Sequence, residues 1–242
     1  WLDSVQYRQP ERGPHLPASS YRLVAQIKHE GVERGVFSFC MCPGGFIVPA
    51  ATALGEIVVN GMSPSRRDSP YANSGIVVGV DDLDFKPFES HGELRGIAYQ
   101  EAIEQKAAHV SSSNFAAPAV RVSDFVNGKT SQNLLPTSYQ PGVVARDLRE
   151  VLPPGIFIRL QGGMREFGRK LRGFVTADAQ LLGVESRTSS PVRIPRDRET
   201  YEHPQIAGLY PVAEGAGYAG GILSAAMDGE RAAEAIARRL TL

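Results

Sequence analysis

From Arg22 to Lys28 the chain alternates, with Leu23, Ala25 and Ile27 on one side and Arg22, Val24, Gln26 and Lys28 on the other. A period of two over this length predicts a half-buried strand. Glu30-Gly31 predicts a turn, and Gly35–Met41 the strand that returns from it. Phe46–Val48, Glu56–Asn60 and Gly75–Val80 are further short apolar runs rich in Val and Ile, separated by Gly- and Pro-containing turns. That spacing predicts an antiparallel or mixed sheet. The period then changes. Tyr99, Ala102, Ile103, Ala107 and Val110 share one face of a helix predicted over 94–110. A loop through Ser111–Ser113 and Pro118 follows, then a stretch from Asp124 to Gly142 without pattern and a short helix over 143–151. Ile156, Leu160, Met164, Phe167 and Leu171 recur at three- and four-residue spacings, an amphipathic helix even though it contains Gly162-Gly163. Its basic face, Arg165, Arg169, Lys170 and Arg172, reads as solvated surface. Residues 181–187, 191–194 and 208–212 are expected as strands, and 221–240 as a closing helix with an inner stripe of Ile222, Ala225, Ala226, Gly229, Ala233 and Ile236.

Composition narrows the picture. The 242 residues suit one large or two small domains. Lysine plus arginine balances aspartate plus glutamate at 26 each, so no global charge draws the chain to nucleic acid or anionic lipid, and neither partner is expected. The 25 glycines and 17 prolines are roughly a sixth of the chain, against an ordinary combined usage of about 12%, which favours a loop-rich enzyme over a helix bundle. Gly35–Gly55 lacks charge and is long enough to span a bilayer, but Pro43, Pro49 and Gly44-Gly45 would break such a helix. The polar N-terminal residues carry no secretory signal, and a cytoplasmic setting is expected.

Cys40 and Cys42 are the two cysteines, too few and too close for a disulfide framework. In a strand they would face the same side, as a redox-active pair or as two small buried hydrophobes. No cysteine or histidine stands at ligand spacing from them, so no metal site is expected.

The richest chemistry lies in Pro211–Ile222, PVAEGAGYAGGI, where Gly215, Gly217 and Gly220 satisfy G-x-G-x-x-G between an expected strand and a helix. A dinucleotide fingerprint also needs a second strand with an acidic residue about 20 positions on. The 22 residues after Gly220 hold one helix, so a complete Rossmann unit is not expected here. Glu214 could still accept bonds from ribityl hydroxyls, and the amides of Gly220, Gly221 and Ile222 would stand at a positive helix end, suited to partial negative charge on a flavin. A turn needed only for close strand-to-helix packing is the equal alternative. Arg187 and Arg193, flanking Thr188-Ser189-Ser190-Pro191, suit either oxyanion recognition or a polar edge.

The run resembles the C-terminal flavin-binding segment of a family of FAD-dependent, NAD(FAD)-utilising dehydrogenases, Y-P-x-G-E-G-A-G-Y-A-G-G-I. Tyr210, Pro211 and Glu214–Ile222 match it, while Ala213 replaces the family's usual glycine. Phe37–Gly45, Asn60–Ser63 with Ala72–Ser74, and Arg187–Arg193 match further family motifs, so the resemblance spans nearly the whole chain. It implies a mixed α+β and α/β architecture. Residues 1–173 would form a largely antiparallel insert domain on the substrate side. Residues 174–242 would be the C-terminal returning segment of a glutathione-reductase-like FAD domain, whose N-terminal FAD segment precedes Trp1 in the same protein and acts as its partner. FAD is the implied cofactor, NAD(P)H a candidate electron donor, and the substrate an unspecified small molecule. Glu214, Gly215, Gly217, Tyr218, Gly220, Gly221, Ile222 and Arg187 are the implied cofactor residues, with Cys40 and Cys42 as the catalytic candidates. The isolated fragment is expected to be inactive and to hold FAD poorly or not at all. A non-catalytic binding or interaction module on a flavoprotein fold is the alternative.

Overall fold

A computed structural model describes residues 8, 13–16, 23–112 and 115–240. Most of the N-terminal stretch expected to be irregular, the first residue of the first expected strand and Ser113 lie outside the described residues. The class is α+β, with antiparallel sheets and interspersed helices.

The alternating segment forms β1 (Leu23–His29), paired antiparallel with β2 (Val32–Pro43). Glu30 and Gly31 both have positive φ (50° and 81°), the two-residue turn whose twist matches a tight hairpin. β5 (Ala72–Val78) pairs on the other side of β2, giving the order β1-β2-β5. β3 (Phe46–Pro49) and β4 (Val59–Met62) form a separate antiparallel pair. The expected strand at Glu56–Asn60 therefore begins three residues late, although Glu56, Ile57 and Val58 are buried.

Helix α1 (Asp82–Phe85) and a 3-10 turn over Lys86–Leu94 lead into α2 (Arg95–Ser111), close to its expected bounds. Three corrections follow. The loop expected around Pro118 is β6 (Ala117–Arg121), the central strand of a third sheet, followed directly by helix α3 (Val122–Val126). The helix expected over 143–151 is instead β7 (Val143–Ala145), parallel to β6, and a 3-10 turn at Leu148–Glu150. The strand expected at 181–187 shortens to β8 (Gln180–Leu182), antiparallel to β6, and neither 191–194 nor 208–212 forms a strand.

Helix α4 (Pro154–Lys170) explains its own glycines. Proline at its first turn costs no hydrogen bond, because that N–H would have no helical partner. Its apolar side packs on β1, with Met164 and Phe167 buried in one cluster with Leu23, Ala25 and Val36. A Cβ on Gly163 would lie 2.5 Å from Val36 Cγ1, and one on Gly162 3.1 Å from Ile27 Cγ2. The glycines bring the helix backbone down onto the sheet, which offsets their helix penalty of about 1 kcal/mol each. The buried Arg159 donates to His29 O (3.1 Å) and Val32 O (3.2 Å), anchoring both sides of the hairpin turn to α4. A second cluster gathers Ile57, Val59, Ala107, Ala117, Tyr139, Val151 and Val184.

The chain divides into two compact units, residues 1–80 with 103–185 and residues 81–102 with 186–242. Both hydrophobic clusters belong to the first. In the second, the buried apolar side chains among the described residues are Ala98, Tyr99, Pro211, Ala216, Ala232 and Ala235. Phe85 and Phe88 meet Tyr99 edge-on at 5.4 and 5.9 Å. The closing helix α5 (Ile222–Leu240) forms as expected, but its buried stripe is rotated to Ala232 and Ala235, leaving Ile222, Ala226 and Ala233 exposed. No helix among the described residues is long and apolar enough to cross a membrane.

Candidate functional site

The glycine run is a folded turn ahead of α5. Gly217 N–H donates to Glu214 O (2.9 Å) and Tyr218 N–H to Ala213 O (3.0 Å). Ala213 holds φ of +59° and Gly217 +80°. The turn is seamed to the segment 192–194: Ile194 N–H donates to Ala216 O (3.1 Å), Arg193 Nε to Gly217 O (3.1 Å) and Tyr218 Oη to Ile194 O (3.0 Å). A Cβ on Gly217 would sit 2.4 Å from Val192 O. Gly217 is therefore required by the fold twice over, by its left-handed backbone and by this contact.

The other glycines differ. A Cβ on Gly215 would meet nothing within 4 Å, one on Gly220 only Ser189 Cβ at 4.0 Å, and one on Gly221 only Ser224 Oγ at 3.4 Å. None of the three has positive φ. Neither backbone conformation nor packing in this unit explains them. Gly221 N–H donates to Ser224 Oγ (3.1 Å), while the glycine brings no side chain to cap the first-turn amides of Ile222 and Leu223. The helix thus opens with donors and a positive dipole end beside bare backbone. Glu214 is exposed at the same turn, and the segment holding half-buried Arg187 runs past Gly220 at Ser189.

Sequence reasoning missed the residues that fix this turn. Arg196 pairs with Asp228 of α5 through two bonds (2.9 and 2.7 Å) and donates to Pro211 O (2.8 Å). Its guanidinium lies 3.7 Å from the Tyr218 ring centroid and 4.3 Å from that of Tyr201. Asp228 also accepts from Ala213 N–H (2.8 Å). The Arg196 bonds hold the Asp228 carboxyl below the usual carboxylate range despite its burial. A signal was present in the sequence: Asp228 interrupts an alanine-rich helical face, and a carboxylate there needs a cationic partner.

Cys40 and Cys42 lie in the other unit, at a bulge of β2 where the pairing with β5 shifts register between Phe39 and Cys42. Cys40 takes φ of +53° and is exposed, whereas Cys42 is buried. Cys42 Sγ donates to Cys40 O at 3.4 Å. Although Cys40 is exposed, partial desolvation of its thiol, the neighbouring Cys42 and the Glu185 carboxylate push that thiol up from its ordinary value. Burial likewise raises Glu185. No group of three or more His, Cys, Asp or Glu side chains among the described residues is placed to hold a metal ion.

Residues 1–188 match the family described as FAD-dependent protein, C-terminal domain-like, and the chain belongs to that family. It is also similar to an uncharacterized protein of Clostridium beijerinckii, with 43% identity over 239 residues. That alignment takes in 98% of this chain and 44% of the relative, so the chain spans less than half the relative's length. By that match the chain is related to the C-terminal part of proteins described as FAD-dependent.

Proposed function

We propose that this chain serves an FAD-dependent oxidoreductase, a dehydrogenase of glutathione-reductase-like build. In this reading residues 174–242 complete its FAD domain, and residues 1–173 form the substrate side. The observation that carries it is the sorting of the glycines. Gly217 answers to the fold, whereas Gly215, Gly220 and Gly221 leave backbone bare where nothing in their own unit needs it. A cofactor lying against that backbone accounts for all three, because any side chain there would hold it off.

The residues present fit the group. Gly220 and Ile222 would offer amides at the start of α5, and Gly221, whose N–H is given to Ser224 Oγ, would leave the backbone bare beside them. Glu214 would accept from sugar or ribityl hydroxyls, and Gly215, Gly217 and Tyr218 would shape the wall. Arg187 would neutralise an anionic group along the segment beside Gly220. FAD, when bound, supplies the hydride and electron transfer, and the chain supplies position and electrostatics. NADH or NADPH is the proposed reductant, and Cys40 with Cys42 the proposed catalytic candidates on the substrate side, acting as thiols rather than as activated thiolates. Ile222 (92% exposed), Leu223 (74%) and Met227 (42%) stand uncovered at the start of α5, in a unit with few buried side chains. This fits a segment that completes its core with the remainder of an FAD domain.

The test is to express the protein from its complete reading frame, look for bound yellow flavin, and follow its bleaching by NADH or NADPH. A colourless protein that FAD cannot reconstitute refutes the reading.

A further inference from the structure

We propose that Arg196 and Asp228 are positioning residues of the flavin site, a clamp that sets the glycine turn against the first turns of α5 without touching the cofactor. The inference rests on the FAD reading above and adds to it the device that holds the turn in place.

The clamp reaches both ends of the turn. On the entry side, Arg196 donates to Pro211 O and Asp228 accepts from Ala213 N–H. On the exit side, Arg196 lies against the Tyr218 ring, whose hydroxyl is tied to Ile194 O. Asp228 belongs to α5, six residues beyond Ile222, so one ion pair couples Pro211, Ala213 and Tyr218 to the helix whose first amides are the proposed donors. The arginine side chain is 9% exposed and the aspartate 13%, so this bidentate pair is shielded from the screening that weakens surface pairs. Lysine cannot reproduce it. A single ammonium lacks both the fork that grips Asp228 while reaching Pro211 O and the flat face that lies on Tyr218 and Tyr201.

A clamp that only stabilises the fold and one that positions the turn differ in what they disturb. Below the unfolding temperature, loss of a purely structural clamp leaves each bound flavin in an unchanged environment. Loss of a positioning clamp moves the amides relative to the flavin and alters its affinity and potential.

The experiment uses the flavin-loaded full-length protein with Arg196→Lys and, as a second variant, Asp228→Asn. We expect FAD to bind about tenfold more weakly, the cost of roughly one charge-assisted hydrogen bond. A tenfold weaker preference for reduced over oxidised flavin moves the midpoint potential by about 30 mV to more negative values. Hydrogen exchange on the flavin-free protein gives an independent reading, with the Gly217 and Tyr218 amides exchanging faster while β1 and β2 keep wild-type protection. Affinity and potential within twofold and 10 mV of wild type (rough limits set on the same scale), in variants that remain folded, overturn the proposal. If the wild-type protein takes up no FAD, the functional reading fails instead, and unchanged exchange at Gly217 and Tyr218 then removes the clamp as well. Should one variant fail to fold, the other decides.

Discussion

Gly217→Ala tests the difference between a glycine the fold requires and one it leaves free. The added methyl meets two obstacles. At φ of +80° an L-residue costs about 1–2 kcal/mol relative to the right-handed region. The Cβ would also lie 2.4 Å from Val192 O and 3.0 Å from Arg193 Cα, backbone atoms that cannot rotate aside. Relieving such overpacking costs about 1–3 kcal/mol. The movement that relieves it opens the seam made by Ile194 N–H on Ala216 O and Arg193 Nε on Gly217 O. The total is about 2–5 kcal/mol, concentrated in residues 186–240. Urea denaturation together with hydrogen exchange at Ile194, Gly217 and Tyr218 measures it. Gly215→Ala is the companion variant: it meets nothing within 4 Å and has no positive φ, so stability should hold or rise by about 0.4–1 kcal/mol through a less flexible unfolded chain. In the FAD-loaded protein this same variant should lose flavin affinity. Wild-type stability in Gly217→Ala would show that the turn is not held as described. Wild-type flavin affinity in Gly215→Ala would remove that glycine from the cofactor wall.

Ala213→Gly should stabilise the chain by up to about 1 kcal/mol, since the residue sits at φ of +59° where a methyl is strained; calorimetry reads the rise in Tm. The Asp228 carboxyl titrates below its unfolded value because Arg196 bonds to it. Its contribution is therefore complete above the unfolded value of about 3.9 and is lost as pH falls through the lowered one. Exchange protection in 186–240 should fall on acidification from pH 5 to 2, and Asp228→Asn should remove that portion of the pH dependence; an unaltered profile refutes the assignment. Iodoacetamide at pH 7 should label Cys40 slowly and buried Cys42 not at all, with the Cys40 rate climbing as pH passes the ordinary thiol value of about 8.5, because its thiol is raised. Fast labelling of Cys40 at pH 7 would mean an activated thiolate instead.

Elements that present one face to a core were legible in the sequence. The period of two in β1 and the three-and-four spacing of α4 each reflect a single buried side, and both helix and hairpin fall near their expected bounds. β6 escaped because it is buried on both faces: Ala117, Pro118, Ala119 and Val120 are all buried, so nothing alternates, and its proline reads as a loop. The opposite error came at 191–194 and 208–212, where short apolar runs read as strands. In the folded chain these residues form irregular segments tied to the turn by Arg193, Ile194 and Arg196. The stripe of α5 was misplaced for a related reason. Its alanines and Gly229 lie on several faces, and the charged Asp228, which periodicity assigns to solvent, is drawn inward by Arg196.

The candidate site was legible as a string of glycines and illegible in their separate duties. Letters alone cannot distinguish a glycine that satisfies φ from one that makes way for a neighbour or one that leaves a surface bare. The fold separates them: Gly217 serves the first two purposes, and Gly215, Gly220 and Gly221 serve neither. The departure at Ala213 becomes intelligible on the same ground. A left-handed backbone there favours glycine, the residue the resembling family usually carries, yet Ala213 keeps its place through the Asp228 carboxylate on its N–H and the Tyr218 N–H on its carbonyl. The proposed Arg196–Asp228 clamp thus reaches the turn at its left-handed non-glycine residue. On the proposed reading, the glycines outside its demands are the ones whose bareness a ligand would use.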